Sequence, residues 1–170
     1  MCYASLSYMI GYTRTMRIIG IDPGTGITGF GVIELTNRKP KMLGAGVIRT
    51  DAHTPLEERL EIIYADVADL IKEFEPQQIA VEKLFFAQNV TTAISVAHAR
   101  GVVLLAGQQA KLKLYEYTPL QIKQAMTGYG RATKSQIQEM VRIMLELKTI
   151  PKPDDAADAL AVALTHSHQI

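Results

Sequence analysis

Cysteine is nearly missing from this sequence: Cys2 stands alone among 170 residues. An intramolecular disulfide is therefore excluded, as is a thiolate metal cluster, and the chain reads as one for a reducing compartment, the cytoplasm. Long apolar runs are missing too. No stretch approaches the ~18 to 20 residues that span a bilayer, because Gly, Arg or Gln interrupts each candidate, so no membrane role is expected. Residues 1–15 are rich in Ser, Tyr and Thr and lack both a basic start and an apolar block, which makes them a poor signal peptide. They read as a disordered or mis-annotated extension before Met16, which leaves residues 16–170 as a single domain. A chain of this size buries about 70% of its unfolded surface in one core.

What is present begins with a β-branched run, Arg17-Ile18-Ile19-Gly20-Ile21-Asp22, that ends in a carboxylate and the turn Pro23-Gly24. Gly29 to Ile33 and Lys41 to Thr50 read as the next two strands of an antiparallel meander, with Asn37-Arg38-Lys39-Pro40 as the second turn. Glycines 29, 31, 44 and 46 are costly in strands unless another backbone comes close, and tight packing of sheet and helix is the expected reason. Thr54 as N-cap, Pro55 at the first helical position and Glu57 as capping-box partner predict a helix whose apolar stripe runs from Leu56 to Phe74. Gln78 to Phe86 is a short apolar strand carrying Glu82. Because it follows a helix, it is placed parallel to and beside the first strand, which brings Glu82 near Asp22.

Asn89 to about Lys111 reads as a long helix with Val90, Ile94, Ala97, Gly101, Leu104 and Leu105 on one face. Ala93, Ala97 and Gly101 form a line of small residues that another helix can approach, either within the chain or across a dimer seam. His98, on the same helix, is expected to serve packing or an interface. Lys113 to Thr118 is a fifth strand, Pro119 to Met126 a short helix, and Thr133 with Gln136 the capping box of the next helix. After Pro151-Lys152-Pro153, the segment from Asp154 to Leu164 reads as a helix. Asp154 is assigned to the N-cap or the helix dipole, while Asp155 and Asp158 share a face. His166 and His168 follow that helix and are expected to be exposed.

The net charge of +1 hides an uneven distribution. From Lys111 to Lys152 there are eight basic residues against three acidic ones, and the acids predominate elsewhere. A basic segment beside a carboxylate-rich one suits a polyanion whose reacting phosphate approaches bound cations, and the Gly128-Tyr129-Gly130-Arg131 loop with Lys134 behind it adds to that surface. If Asp22, Glu82, Asp155 and Asp158 converge, each like-charged pair ~5 Å apart costs roughly 3 kcal/mol at an effective dielectric near 20. Protons or hard cations must then sit among them. An all-oxygen donor set favours Mg²⁺, with Mn²⁺ as substitute, and two such ions per subunit promote phosphodiester hydrolysis.

The motifs IGIDPGTGITGFGVI, IAVEKLFF, the Ala99-Arg100-Gly101 tripeptide and DDAADALAVALTH occur in this order over most of the chain. Together they resemble the bacterial RuvC-type Holliday junction resolvases. The resemblance implies an RNase H-like α/β fold: a five-stranded mixed sheet, three strands antiparallel, flanked by helices. It implies a Mg²⁺-dependent endodeoxyribonuclease of DNA recombination and repair, a homodimer that nicks a four-way DNA junction symmetrically. It further implies a branch-migration motor complex of the RuvA and RuvB type as partner. Asp22, Glu82, Asp155 and Asp158 match the family's catalytic, metal-holding carboxylates. Phe85 matches its junction-stacking aromatic, and Lys123 and Lys134 match its DNA-backbone contacts.

Two rival readings remain at this level. Asp-x-Gly-Thr near a strand end also opens the phosphate loop of actin-like and sugar-kinase ATPases, but those folds need two such domains and do not call for Asp155 with Asp158. An RNase H-like nuclease of structured RNA, or a junction-binding module that no longer cuts, would share much of the pattern.

Overall fold

The computed structural model describes residues 15–84 and 90–170, and for residues 90–92 the backbone alone. The run around Ile18, Ile19 and Ile21 forms β1 (Thr15–Asp22), which starts two residues before the Arg17 boundary. β2 (Ile27–Thr36) and β3 (Lys39–Arg49) follow, joined by a turn in which Asn37 and Arg38 take φ of 52° and 65°. Positive φ at both central residues is the hairpin geometry whose twist matches the flanking strands. Lys39 and Pro40, expected in the turn, therefore belong to β3, where a proline is tolerated because β3 is an edge strand.

The remaining elements are α1 (Leu56–Phe74), β4 (Gln78–Glu82), α2 (Val90–Gln109), β5 (Lys113–Tyr117), α3 (Pro119–Thr127), α4 (Lys134–Met144) and α5 (Asp154–Ser167). The sheet runs β3-β2-β1-β4-β5, with β1 to β3 antiparallel and β4 and β5 parallel to β1. This is the mixed five-stranded sheet flanked by helices that the sequence implies. Alternation along the strands divides the core into two layers. Ile19, Ile21, Val32, Ile79 and Val81 pack with Ile63 and Val67 of α1 and Ala99, Val103 and Ala106 of α2. On the opposite face Ile18, Ile33 and Ala80 pack with α3, α4 and α5 through Ile122, Met126, Ile137, Val141 and Leu160.

Several local expectations are corrected. α1 starts at Leu56 with Pro55 at the N-cap position and no side-chain cap, so the Thr54 capping box does not form. α5 has Pro153 at its N-cap position, so Asp154 is not the cap; as the first residue of the helix it takes the other role expected of it, a carboxylate at the positive end of the helix dipole, with Lys152 Nζ at 2.7 Å. β4 ends at Glu82, Lys83 and Leu84 follow outside any strand, and the rest of the expected strand, to Phe86, lies outside the described residues. On α2 the buried apolar side chains among the described residues are Ala99, Val103 and Ala106, whereas Ile94 and Leu105 are 53% and 50% exposed. A methyl on Gly101 would meet nothing within 4 Å, so the chain itself puts no neighbour against that end of the small-residue line. His98 is exposed.

His166 differs most from expectation. It lies within α5, is fully buried, and sits between Tyr117 Oη at 2.7 Å from Nδ1 and Gln78 Oε1 at 2.5 Å from Nε2. Burial holds its pKa down at about 4, so the ring is neutral, accepting from Tyr117 and donating to Gln78. It ties the end of α5 to β4 and β5.

The expectation of close packing at the glycines is met. A side chain on Gly20 would strike the Ala159 carbonyl and Ala163 N, and one on Gly29 would strike the Asp155 carbonyl. α5 therefore lies with its backbone almost on the sheet, which explains why it is alanine-rich. That contact sets the position of Asp155 and Asp158.

Candidate active site

Period-two alternation decides where the strand-end acids point. In β1, Ile18 and Gly20 face α5, while Ile19 and Ile21 face α1 and α2, so Asp22 falls on the α5 side. β4 repeats the pattern, with Ala80 toward α5 and Val81 away, so Glu82 falls on that side too. The parallel register Ile21↔Val81 then sets Asp22 and Glu82 beside each other at their strand ends. Thr28 steadies the turn behind Asp22, its hydroxyl donating to the Gly24 carbonyl at 2.6 Å. Asp155 and Asp158, in the first turns of α5, complete the group.

The charges of these acids act on one another. Asp22 is pushed up to about 6, first by burial and then by the negative charges of Asp158 and Asp155. Glu82 is pushed further, to about 8, by burial, by the Asp22 charge and by a hydrogen bond with Asp22. The bond lowers Asp22 and raises Glu82, so Glu82 carries the proton and donates it to the Asp22 carboxylate. Burial also raises Asp158, opposed by Lys134, whose Nζ lies 2.8 Å from Asp158 Oδ2 and 3.9 Å from Asp154 Oδ2.

The basic candidates fall differently. Lys134 opens α4 behind the Thr133–Gln136 capping box, which forms as expected: Gln136 N–H donates to Thr133 Oγ1 at 3.3 Å. Lys123 of α3 shares with Glu82, Lys134 and Asp158 a cleft of about 200 Å³. Arg131 is exposed on the loop between α3 and α4, outside that cleft. Phe85 lies outside the described residues. Thr28 and Lys152 carry no signal in the sequence, since a strand threonine and a lysine between prolines look the same in many roles.

Oxygen donors on strand ends and a helix start suit a hard divalent cation in chemistry. Among the described residues, however, no group of three or more His, Cys, Asp or Glu is arranged to hold an ion. Instead, Glu82 shares its proton with Asp22, and Lys134 Nζ lies 2.8 Å from Asp158 Oδ2. A proton and an ammonium offset here the charge that a cation would offset, so the donor set fits such an ion once both are displaced.

This proton has a consequence for stability. Asp22 and Glu82 have folded-state pKa values above their ordinary 3.8 and 4.5, so between about pH 4 and 8 the folded protein binds more protons than the unfolded one. Stability from these groups is full below pH 4 and is lost as pH rises through about 6 and then 8. Thermal melts in chelator will therefore give a lower Tm at pH 8.5 than at pH 5.5. Glu82→Gln, which keeps a donor to Asp22 without the titration, will flatten that slope, and an equal slope in both proteins would refute the shared proton.

Comparison with known proteins agrees with this geometry. The family model described as crossover junction endodeoxyribonuclease RuvC matches residues 18–166. A crossover junction endodeoxyribonuclease RuvC of Desulfitobacterium hafniense is 57% identical over 155 residues, 91% of this chain and 94% of that protein. The Thermus thermophilus RuvC structure superposes with a TM-score of 0.84 at 40% identity, covering 89% of this chain and 93% of the other. The same protein in complex with a Holliday junction substrate gives the same values, 0.84 and 40%. With one continuous match over nearly all of the described chain, and a fold in accord with it, this protein belongs to the RuvC family of crossover junction endodeoxyribonucleases.

Proposed function

We propose that this chain is a structure-selective endonuclease that resolves four-way DNA junctions by paired, symmetric nicks, in recombination and repair. The observation that carries the proposal is a narrow cleft in which Glu82 and Asp158 face Lys123 and Lys134, with Asp22 beside Glu82 and Asp155 close enough for its charge to act on Asp22. In this reading the four carboxylates hold divalent ions, Mg²⁺ or Mn²⁺, two per subunit. When bound, such ions activate water and stabilise the charge that builds on the phosphoryl group.

The protein's own contribution is placement. The strand ends fix Asp22 and Glu82, and the close contact of α5 on the sheet fixes Asp155 and Asp158, so little reorganisation is needed when a phosphate arrives. Lys123 and Lys134 draw the DNA backbone into the cleft. Lys134 exchanges Asp158 for a phosphate oxygen in the process. Water adds to phosphorus and the bond to the opposite oxygen breaks, that oxygen takes up a proton, and the nicked ends can be sealed by a ligase.

Symmetric nicking needs two sites, and the exposed Ile94, Gly101 and Leu105 of α2 supply the face on which two copies meet. In this reading a branch-migration motor complex of the RuvA and RuvB type delivers the junction, and the work is done in the cytoplasm. No helix among the described residues is long and apolar enough to cross a membrane.

The deciding experiment compares cleavage of a four-way junction, a linear duplex and a structured RNA, with and without Mg²⁺. Cleavage of the junction alone, dependent on the ion, is the expected result; preferential cutting of the RNA would overturn the proposal. Two variants refine it. Leu105→Glu will elute as a monomer in size-exclusion chromatography and lose paired nicking, whereas a dimeric variant would refute the α2 seam. Lys134→Ala will weaken junction binding and reduce the slope of log affinity against log salt by about 1. An unchanged slope would remove Lys134 from the DNA surface.

A further inference from the structure

Beside the carboxylate cleft, and sharing its α3 and α4 walls, lies a second pocket of about 540 Å³. Met126, Ala132 and Met140 line it with apolar surface, Thr127, Ser135 and Gln136 add polar groups, and Tyr129 stands at its edge 58% exposed. The ring is not on a loose loop. Tyr129 N–H donates to Thr127 Oγ1 at 3.2 Å and the Tyr129 carbonyl accepts from Ala132 N–H at 3.2 Å. Gly130 lies so close over Leu120 that a Cβ there would come within 2.6 Å of Leu120 Cδ1. The backbone that carries the aromatic is therefore fixed before any ligand arrives, which lowers the ordering cost of binding.

An exposed aromatic over an apolar pocket has several possible occupants, and the charges nearby select among them. Arg131 follows the ring in sequence and is exposed, and Lys134, three residues on, opens the helix that forms the pocket wall and stays paired with Asp158 in the carboxylate cleft until a phosphate takes that place. Glu139, the acid in the lining, is already neutralised by Arg142, with contacts of 2.6 and 3.0 Å. The pocket thus offers an aromatic face, apolar depth, hydroxyl and amide groups, and cations on its flank. This combination receives a planar base while neutralising the phosphates on either side of it. From Lys123, in the carboxylate cleft, to Thr127, in the pocket, is one helical turn, about 5 to 6 Å.

We propose that this pocket takes one unstacked nucleobase of the DNA strand held at the carboxylate cleft, stacked on Tyr129, with Arg131 and Lys134 on its phosphates. The proposal rests on the junction-cleaving reading above. It makes Tyr129 a positioning residue that fixes the register of the strand relative to the scissile phosphate, acting beside the reacting atoms and not on them.

The test places 2-aminopurine, one position at a time, in the strands of a four-way junction near the crossover, and titrates full-length wild type, Tyr129→Ala and Tyr129→Phe in Ca²⁺. The expected result is a fluorescence change at one position with wild type and Tyr129→Phe that is absent with Tyr129→Ala, together with about tenfold weaker junction binding by Tyr129→Ala. Affinity for linear duplex, which has no unstacked base, is expected to stay the same. Equal probe response and equal junction affinity in all three proteins would overturn the proposal while leaving junction cleavage intact. Loss of self-association by Tyr129→Ala with unchanged DNA binding would also overturn it and give the pocket to a second copy of the chain. A wild type that does not bind junctions at all would overturn the functional reading and the pocket together.

Discussion

Replacing Glu82 with glutamine, or Asp22 with asparagine, will lower single-turnover junction cleavage by about a thousandfold or more, because a site of this kind supplies several kcal/mol of charge stabilisation. Junction affinity will stay within about threefold, since neither side chain offers the DNA backbone a favourable charge. Glu82→Gln is the cleaner of the two. In the free protein Glu82 already acts as a neutral donor to Asp22, and a glutamine amide donates in the same place with the same length. The variant will therefore fold and keep its Tm at pH 5.5 while it fails to cut. Cleavage measured with excess enzyme, beside a gel shift in Ca²⁺, separates the two effects. Near-normal cutting by Glu82→Gln would remove that carboxylate from the site.

Asp22, Glu82, Asp155 and Asp158 were legible in the sequence because each sits at a place where local pattern fixes direction. A β-branched run that ends in an acid aims the acid out of the strand end, and acids three apart on an apolar helix must share a face. What the sequence did not disclose depends on partners far away along the chain. His166 looks like a tail residue until Tyr117 and Gln78, 49 and 88 residues distant, close around it. The outward direction of Ile94 and Leu105 is equally hidden, because α2 is apolar on more than one side and only the packing of Ala99, Val103 and Ala106 on α1 and the sheet decides which side is left over. The missing caps of α1 and α5 have a related cause. In both, a proline takes the N-cap position; Asp154 pairs with Lys152, and the Thr54 backbone N–H donates to the Asp51 carbonyl.

Gly29→Ala will damage both the fold and the site. Its Cβ would fall on the Asp155 carbonyl oxygen and come within 2.7 Å of the Asp155 carbonyl carbon and 3.2 Å of its Cβ, so it meets backbone that cannot swing aside as a flexible side chain would. α5 has no room to retreat, because Ala161, Val162 and Leu164 are packed in the layer formed with Ile122, Ile137 and Val141. Overpacking of this sort costs about 1 to 3 kcal/mol, which lowers Tm by roughly 3 to 10 °C in a chain of this size. The kinetic effect will be larger than the stability effect. Displacing Asp155 and Asp158 by about 1 Å from Asp22 and Glu82 reduces cleavage by about a hundredfold even at temperatures where the variant is fully folded. Gly26→Ala, on the turn that follows Asp22, is the matched control. Its Cβ would find only Arg59 Nη2, at 3.7 Å, and both Tm and rate will stay near wild type. A Gly29→Ala protein with wild-type melting and cleavage would show that the sheet contact does not set the position of α5, and the glycine would then need another explanation.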